Sequence, residues 1–386
     1  VMLAWVLTVT FIPAYVMLLN EARFRNFGSM HHHEGEPTSR LSRLLGRLGR
    51  LTHDRAKPIV ALTALLAVVA AYGISRININ DNPVKWFTPS HPIRVADHVL
   101  NEHFAGTYLA YLVLEPQPPN PPAAEFVATF LPRLEQEVGR IDPERLPKGR
   151  QATAELVAEA QRLAADGDLR ADALLAELQA FAQTRQDKAN NDADDDAYDA
   201  WSQVRDWVTE EQLLITKPMM DPALLRYVER LQEALAAGGL VGKSTSVADI
   251  VKTVHRDMYE GDVAQYRIPD SRRAVGNVLM QFQSGHRPHD LFHMVTRDYK
   301  RCALWVQLKT GDNRDMAQVV RAVETFFEYG DEPAPMPIRF QAEAPLDASE
   351  PPPEQHAGWF GLTYINVVWQ DRMVSGMMMS FLGSFL

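Results

Sequence analysis

Uncharged apolar runs alternate with long amphipathic stretches along this chain, and the longest runs set its plan. Pro58–Ser75 (PIVALTALLAVVAAYGIS) carries 18 residues without a charge between Lys57 and Arg76. A bilayer core about 30 Å thick takes roughly 20 apolar residues of helix, with Lys and Arg snorkelling at the ends. Val1–Asn20 is a second such run and Met373–Leu386 a third. One run alone also fits a buried core helix, as the lesser reading. Three of them around a long polar segment predict a membrane protein with one large extramembrane domain. In the first run Pro13 is tolerable, because neighbouring helices can satisfy the freed carbonyl, and Trp5 and Tyr15 suit interface anchors or simple packing.

The stretches between the runs have their own periods. In Arg40–Arg55, Leu41, Leu44, Leu45, Leu48 and Leu51 share one helical face and Arg40, Arg43, Arg47 and Arg50 the other. That pattern fits a basic helix lying on an anionic leaflet, or one packed on a soluble partner. Ile77 and Ile79 alternate as a short strand, which Asn82-Pro83 and Pro89 break. Ile93–Phe104 is predicted helical, Thr107–Leu114 a strand apolar enough to be central, and Ala123–Val138 a helix burying Phe126, Phe130, Leu131 and Leu134. Gln151–Gln186 is helical and Asn190–Asp199 a polar break. Asp221 caps a helix to Ala237 with Pro222 in its first position, and Ser246 caps another from Val247 to about Met258. Asp290–Tyr299 is predicted helical, Cys302–Lys309 a strand, Asp315–Tyr329 a helix and Ile338–Ala344 a strand. The last three make half of a ferredoxin-like unit, and Thr107–Val138 the beginning of another. The expected fold class is therefore α/β (α+β): an extracytoplasmic domain of two such β-α-β units, flanked by transmembrane helices.

Charge orients this plan. Residues 1–57 carry 8 Lys and Arg against 4 Asp and Glu, whereas residues 77–361 carry 29 basic and 44 acidic side chains. The positive-inside rule places loop 21–57 in the cytoplasm and the acidic domain on the far side, in the periplasm of a bacterial inner membrane. An acidic domain argues against nucleic acid as a partner. The single cysteine, Cys302, excludes an intrachain disulfide. The chain opens and stops inside apolar runs, so the expectation is an internal piece of a longer polytopic protein. Its parts are a truncated span (1–20), the cytoplasmic loop (21–57), a second span (58–76), the periplasmic domain (77–361) with a helical insertion at about 143–212, and the start of a further span (362–386).

Candidate chemistry is sparse. His31, His32 and His33 are adjacent on a Gly- and Glu-rich loop and lack the spacing of a tetrahedral zinc site. The acidic cluster at 190–199 lacks the Gly and terminal Glu of an EF-hand loop. Gly242-Lys243-Ser244 is not a phosphate loop, because Ala237 stands where the first Gly is needed and a helix precedes it. Ser244, Ser246 and His255 are close in sequence, which is not a triad. No catalytic, cofactor or metal residue is assigned, and an enzyme is not expected.

Three segments carry a family resemblance: INDNPVKWF at 79–87, DPALLRYVERLQEALAAGGLVGKSTSVADIVKTVHRDM at 221–258, and Asn366–Gln370 followed by Met373–Leu386. With the order of spans and domain, they resemble the middle of a resistance-nodulation-division (RND) transporter of the MMPL branch, from the sixth to the eighth membrane helix. The resemblance implies proton-driven export of lipids, sterol- or hopanoid-like molecules or other hydrophobes. The proton-coupling residues of that family lie in its fourth and tenth helices, neither of which is in this chain. It further implies a second porter domain that passes a hydrophobic or amphiphilic molecule through a cleft, in contact with the bilayer and, as in relatives, with further copies or a periplasmic partner protein. Trp86, Phe87, Met258 and Tyr259, with Met219 and Met220, are the candidates to line that path, or else are ordinary core. A non-pumping sterol-sensing or translocation-accessory protein of the same architecture is the alternative.

Overall fold

The computed structural model describes residues 8, 11, 47, 53–75, 82–285, 287–330, 332–340 and 358–383. The chain divides into two compact units, Val1–Asn78 and Ile79–Leu386. The described part of the first is α1 (Ala56–Ser75), an Ala- and Leu-rich helix with Pro58 in its first turn, where the missing N–H costs nothing. The expected strand at Ile77 and Ile79, the basic helix at 40–55 (but for a few positions) and His31–His33 lie outside the described residues.

Counted over the described side chains, no helix is long and apolar enough to cross a membrane. The three expected spans therefore gain no support here. Val1–Asn20 is outside the described residues apart from Thr8 and Phe11, six side chains of α1 are not described, and the final helix carries Asp371 and Arg372 in its middle.

The second unit mixes helices with one antiparallel sheet. Its helices are α2 (Pro92–His103), α3 (Ala123–Arg140), α4 (Gly149–Ala164), α5 (Ala171–Asn191), α6 (Asp195–Thr216), α7 (Pro222–Ala237), α8 (Val247–Met258), α9 (Arg272–Gln283), α10 (Asn313–Tyr329) and α11 (Leu362–Gly383). The strands are β1 (Tyr108–Pro116), β2 (Val241–Thr245), β3 (Cys302–Leu308), β4 (Ile338–Arg339) and β5 (Gly358–Phe360), in the order β2-β3-β1-β4, with β5 also on β1. The chain thus leaves β1, passes over β3 to reach β2, and later leaves β3 and passes over β1 to reach β4. This corrects the expectation of two α/β units: the halves interleave in one sheet, because β1 pairs along its length with β3.

Register explains which face is core. Ala110, Leu112 and Leu114 of β1 stand opposite Val306, Leu304 and Cys302 of β3, and all six are buried. They share one cluster with Leu224, Val228 and Leu231 of α7, Val247 and Val251 of α8, and Met316, Val319 and Val323 of α10. A second cluster joins Phe126 and Phe130 of α3 to Leu156, Leu174, Leu178, Trp201 and Val204 of α4–α6. The helical stretch expected at 151–186 is two helices, broken where Asp166 accepts from the Asp168 N–H. The acidic break after it is short, because Asp194 caps α6 by accepting from Ala197 N–H at 3.1 Å and pairs with Lys148.

Three local readings need correction. Asp290–Tyr299 is not an α-helix but a 3₁₀ turn, Pro288–His293, with Val295 bridged to Cys302. Val241–Thr245, to which the sequence assigns no element, is a strand paired with β3. Helix α9 was not anticipated. By contrast Asp221 does cap α7, and Ser246 caps α8 with a reciprocal capping box through Asp249.

Candidate functional site

The sheet has apolar side chains on both faces, but its burial is one-sided. The alternate residues of β1 and β3 are only half-buried, and among them is an aromatic group. Tyr111 of β1 stacks on Phe360 of β5 with centroids 4.7 Å apart, and meets Trp305 of β3 edge-on at 5.3 Å. The pairing places them side by side, since Tyr111 is opposite both Trp305 and Phe360. Phe360 is 45% exposed, and Trp305 donates its indole N–H to the His293 carbonyl at 3.3 Å, which fixes the ring. Gly361 follows at positive φ, where a Cβ would come within 2.8 Å of the Tyr111 ring. The glycine lets the chain turn from β5 into α11 against that ring.

A second apolar surface starts four residues after Phe360. Tyr364, Val367 and Val368 of α11 face Ala317 and Val320 of α10 across a cleft of about 430 Å³, with Arg321 and Arg372 at its edges. Helical spacing of i, i+3, i+4 and i+8 puts the four α11 residues on one face. Both surfaces present apolar walls with a few polar groups, the usual make-up of a small-molecule site.

No family model, curated protein or solved structure matches this chain.

The residues proposed for a hydrophobe path fall in three different settings. Trp86 ends a 3₁₀ turn and is 72% exposed, and Phe87 stacks on His91 at 4.5 Å. Met258 and Tyr259 are exposed at the end of α8, with the Tyr259 ring edge-on to His255. Met219 and Met220 are core. The aromatic group and the cleft were not singled out beforehand. The signal was present in TYLAYLVL and CALWVQL, strands that carry Tyr111 and Trp305 on the face opposite their fully apolar one.

The quoted motifs are built into structural ties. Asn82 caps its own turn through Val84 N–H and donates to Asp312 at 3.2 Å, while Lys85 pairs with Asp312. The next residue, Asn313, donates to Gln370 and to the Asn366 carbonyl of α11. One loop at the head of α10 therefore holds both the start of the unit and its last helix. In the 221–258 segment, Ser246 donates to Gln232 at 2.9 Å, Gln232 donates to Asp249 at 2.8 Å, and Lys252 pairs with Glu229 at 2.7 Å and Asp249 at 3.4 Å. The Ser246 hydroxyl is thus engaged by Gln232, and His255 Nδ1 lies 2.8 Å from the Gln265 carbonyl. The serine and the histidine serve separate partners.

Beside the Asn82–Asp312 tie, Tyr108 donates to Asp97 at 2.7 Å and packs against Gly311, where any Cβ would strike the ring. Burial first, and then the hydrogen bond to and negative charge of Asp97, hold the Tyr108 hydroxyl well above the usual tyrosine range. A pKa raised on folding means stability that is intact below the unfolded value, about 10, and is lost as pH rises through the folded one. We expect Tyr108→Phe to lower stability at neutral pH while flattening the loss above pH about 10, measured as urea midpoints between pH 7 and 11. An unchanged alkaline limb would show that another group controls it.

Proposed function

We propose that this chain is the second porter domain, with its membrane anchors, of a proton-driven exporter of the RND/MMPL type that moves lipids or other hydrophobes. The observation that carries the reading is the Tyr111–Trp305–Phe360 face: three rings held together on a side of the sheet that the helices leave half-open. Such a face suits the passage of a hydrophobic or amphiphilic molecule, which needs broad apolar contact with little directional bonding. The strand order, with both crossovers skipping one strand, is that of a ferredoxin-like unit and supports a porter architecture. Membrane anchoring is supported by the uncharged run at 58–75, whose Val60, Leu62, Leu65, Leu66, Val68, Val69 and Tyr72 stand exposed on several sides of α1. Lipid satisfies such a distribution and water does not.

The test is cross-linking with a diazirine-bearing fatty acid on the membrane-reconstituted chain, with adducts mapped by mass spectrometry. Adducts should fall on peptides containing β1, β3 and β5. Trp305→Ala should lower their yield about tenfold, the scale of one lost aromatic contact area. Adducts spread without regard to β1, β3 and β5, or unaffected by Trp305→Ala, would sink the reading.

A further inference from the structure

Helix α2 is built inside out. Its half-buried positions are Arg94, Asp97 and Asn101, spaced i, i+3 and i+7, and these polar residues face the rest of the unit. Each is engaged there. Arg94 donates to the Phe87 carbonyl at 3.1 Å, Asp97 accepts from Tyr108 and from Asn101 at 3.0 Å, and the Asn101 side chain accepts from the Thr107 N–H at 2.8 Å. Going round the helix at 100° per residue, His98 and Glu102 come next and are exposed. The remaining half, about 180°, runs from Val95 through Val99, Ala96, Leu100 and Ile93 to Phe104, interrupted only by His103. All of these apolar residues are exposed, Phe104 to 68%, and no residue of α2 is buried. Beside α2 stands Trp86, the largest exposed ring of the neighbouring turn, next to Lys85.

A helix that folds its polar side inward and holds its apolar half outward gains nothing from water. We propose that α2 and Trp86 form a lipid-facing surface, with α2 lying in the headgroup–acyl boundary of the membrane and Trp86 anchoring its start. The inference rests on the membrane reading given above. Three features choose lipid over a protein partner. The apolar arc runs the length of α2, from Ile93 to Phe104 just past its end, with His103 as its one polar member, the broad apolar face that an interfacial helix presents. His98 and Glu102 border that arc on its open side, where headgroups and water would meet them. Trp86 follows the uncharged run 58–75 by 11 residues of chain, and tryptophan with an adjacent lysine is the composition favoured at a membrane interface.

The experiment places single thiols on α2 in the full chain, reconstituted into phosphatidylethanolamine–phosphatidylglycerol vesicles. Cys302 does not interfere, being fully enclosed with its thiol pushed up to about 12 by burial. Val99→Cys and Leu100→Cys sample the apolar arc, and His98→Cys and Glu102→Cys the polar one. Each carries an environment-sensitive fluorophore, read with iodide in the buffer and with nitroxide on the lipid chains. The expected result is blue-shifted emission, lipid-nitroxide quenching and protection from iodide at 99 and 100, with the reverse at 98 and 102. Equal iodide access at all four sites overturns the proposal. So does protection at 99 and 100 without lipid quenching, which would mean a protein covers the face. Alkaline extraction separates the two levels: a chain that washes off the vesicles refutes membrane anchoring and α2 with it, whereas a retained chain with a water-exposed arc refutes α2 alone.

Discussion

Gly242→Ala is expected to cost about 3 kcal/mol or more of stability, the upper part of the range for forcing an atom into a packed site. Gly242 sits in β2 at the irregularity in its pairing with β3, between Val241 and Lys243. A Cβ there would lie 2.8 Å from Ala105 Cα and nearer still to the Ala105 carbonyl. The obstacle is main chain, and it cannot step aside. Ala105 and Gly106 both hold positive φ, and a Cβ on Gly106 would in turn strike the Leu308 carbonyl of β3. The turn that leads into β1 is therefore pressed against the two strands beyond it, and relief at one glycine is blocked at the other. Gly139 in α3 is the control, since nothing lies within 4 Å of its added Cβ. There alanine should stabilise by up to about 1 kcal/mol through helix propensity. Urea midpoints of the two variants, with unchanged slopes, decide the matter. A Gly242→Ala midpoint near that of the unsubstituted chain would mean that the contact with Ala105 is not held in solution.

The same glycine shows why part of the fold was hidden in the sequence. VGKST contains Gly, Lys and Ser, which are poor strand residues, and it lies between two helices with strong caps. Nothing local marks it as β; the strand exists because β3 offers it a ladder. Helices α3, α7, α8 and α10 were legible because each has an apolar stripe at helical spacing. Asp221-Pro222 and Ser246 with Asp249 also mark their first turns. The strands β1 and β3 were legible too, but not their mutual pairing. Their partners are nearly 200 residues apart, and periodicity carries no information about register between segments. For that reason the sequence alone presents the two β-α halves as two units rather than one. The site suffered likewise. Tyr111, Trp305 and Phe360 come from three distant strands, and only the pairing brings their rings together. Trp86 stands out in the sequence as a candidate path residue, and its exposure comes from the structure. The inverted polarity of α2 beside it needed the burial of Arg94, Asp97 and Asn101 to become visible.

Asp221→Ala is expected to cost about 3 kcal/mol, the sum of about 1 for a lost helix cap and about 2 for an ion pair whose arginine is partly exposed, less than a fully buried pair costs to break. One Asp221 oxygen accepts from the Leu224 N–H at 3.2 Å, and the other lies 3.0 Å from Arg272 Nε, with the aspartate side chain 6% exposed and the arginine 21%. Arg272 opens α9. Its backbone N–H and that of Arg273 donate to the two oxygens of Glu210 at 3.0 and 2.8 Å, and Arg273 pairs with Asp206. Two carboxylates thus sit at two helix N-termini, where the helix dipole favours negative charge, and bracket one arginine. Through them α6, which belongs to the second hydrophobic cluster, is fastened to α7 and α9, which cover the sheet. Removing Asp221 leaves a guanidinium short of its main counter-charge, although it keeps the Glu210 carbonyl at 3.3 Å. Asp221→Asn separates the contributions, because asparagine caps a helix as well as aspartate does but carries no charge. It should lose about 2 kcal/mol and retain the cap. In a double-mutant cycle with Arg272→Met the two changes should cost less together than their sum. An Asp221→Asn variant as stable as the unsubstituted chain would reduce Asp221 to a cap and leave Glu210 and Asp206 of α6 as the polar ties that hold the start of α9.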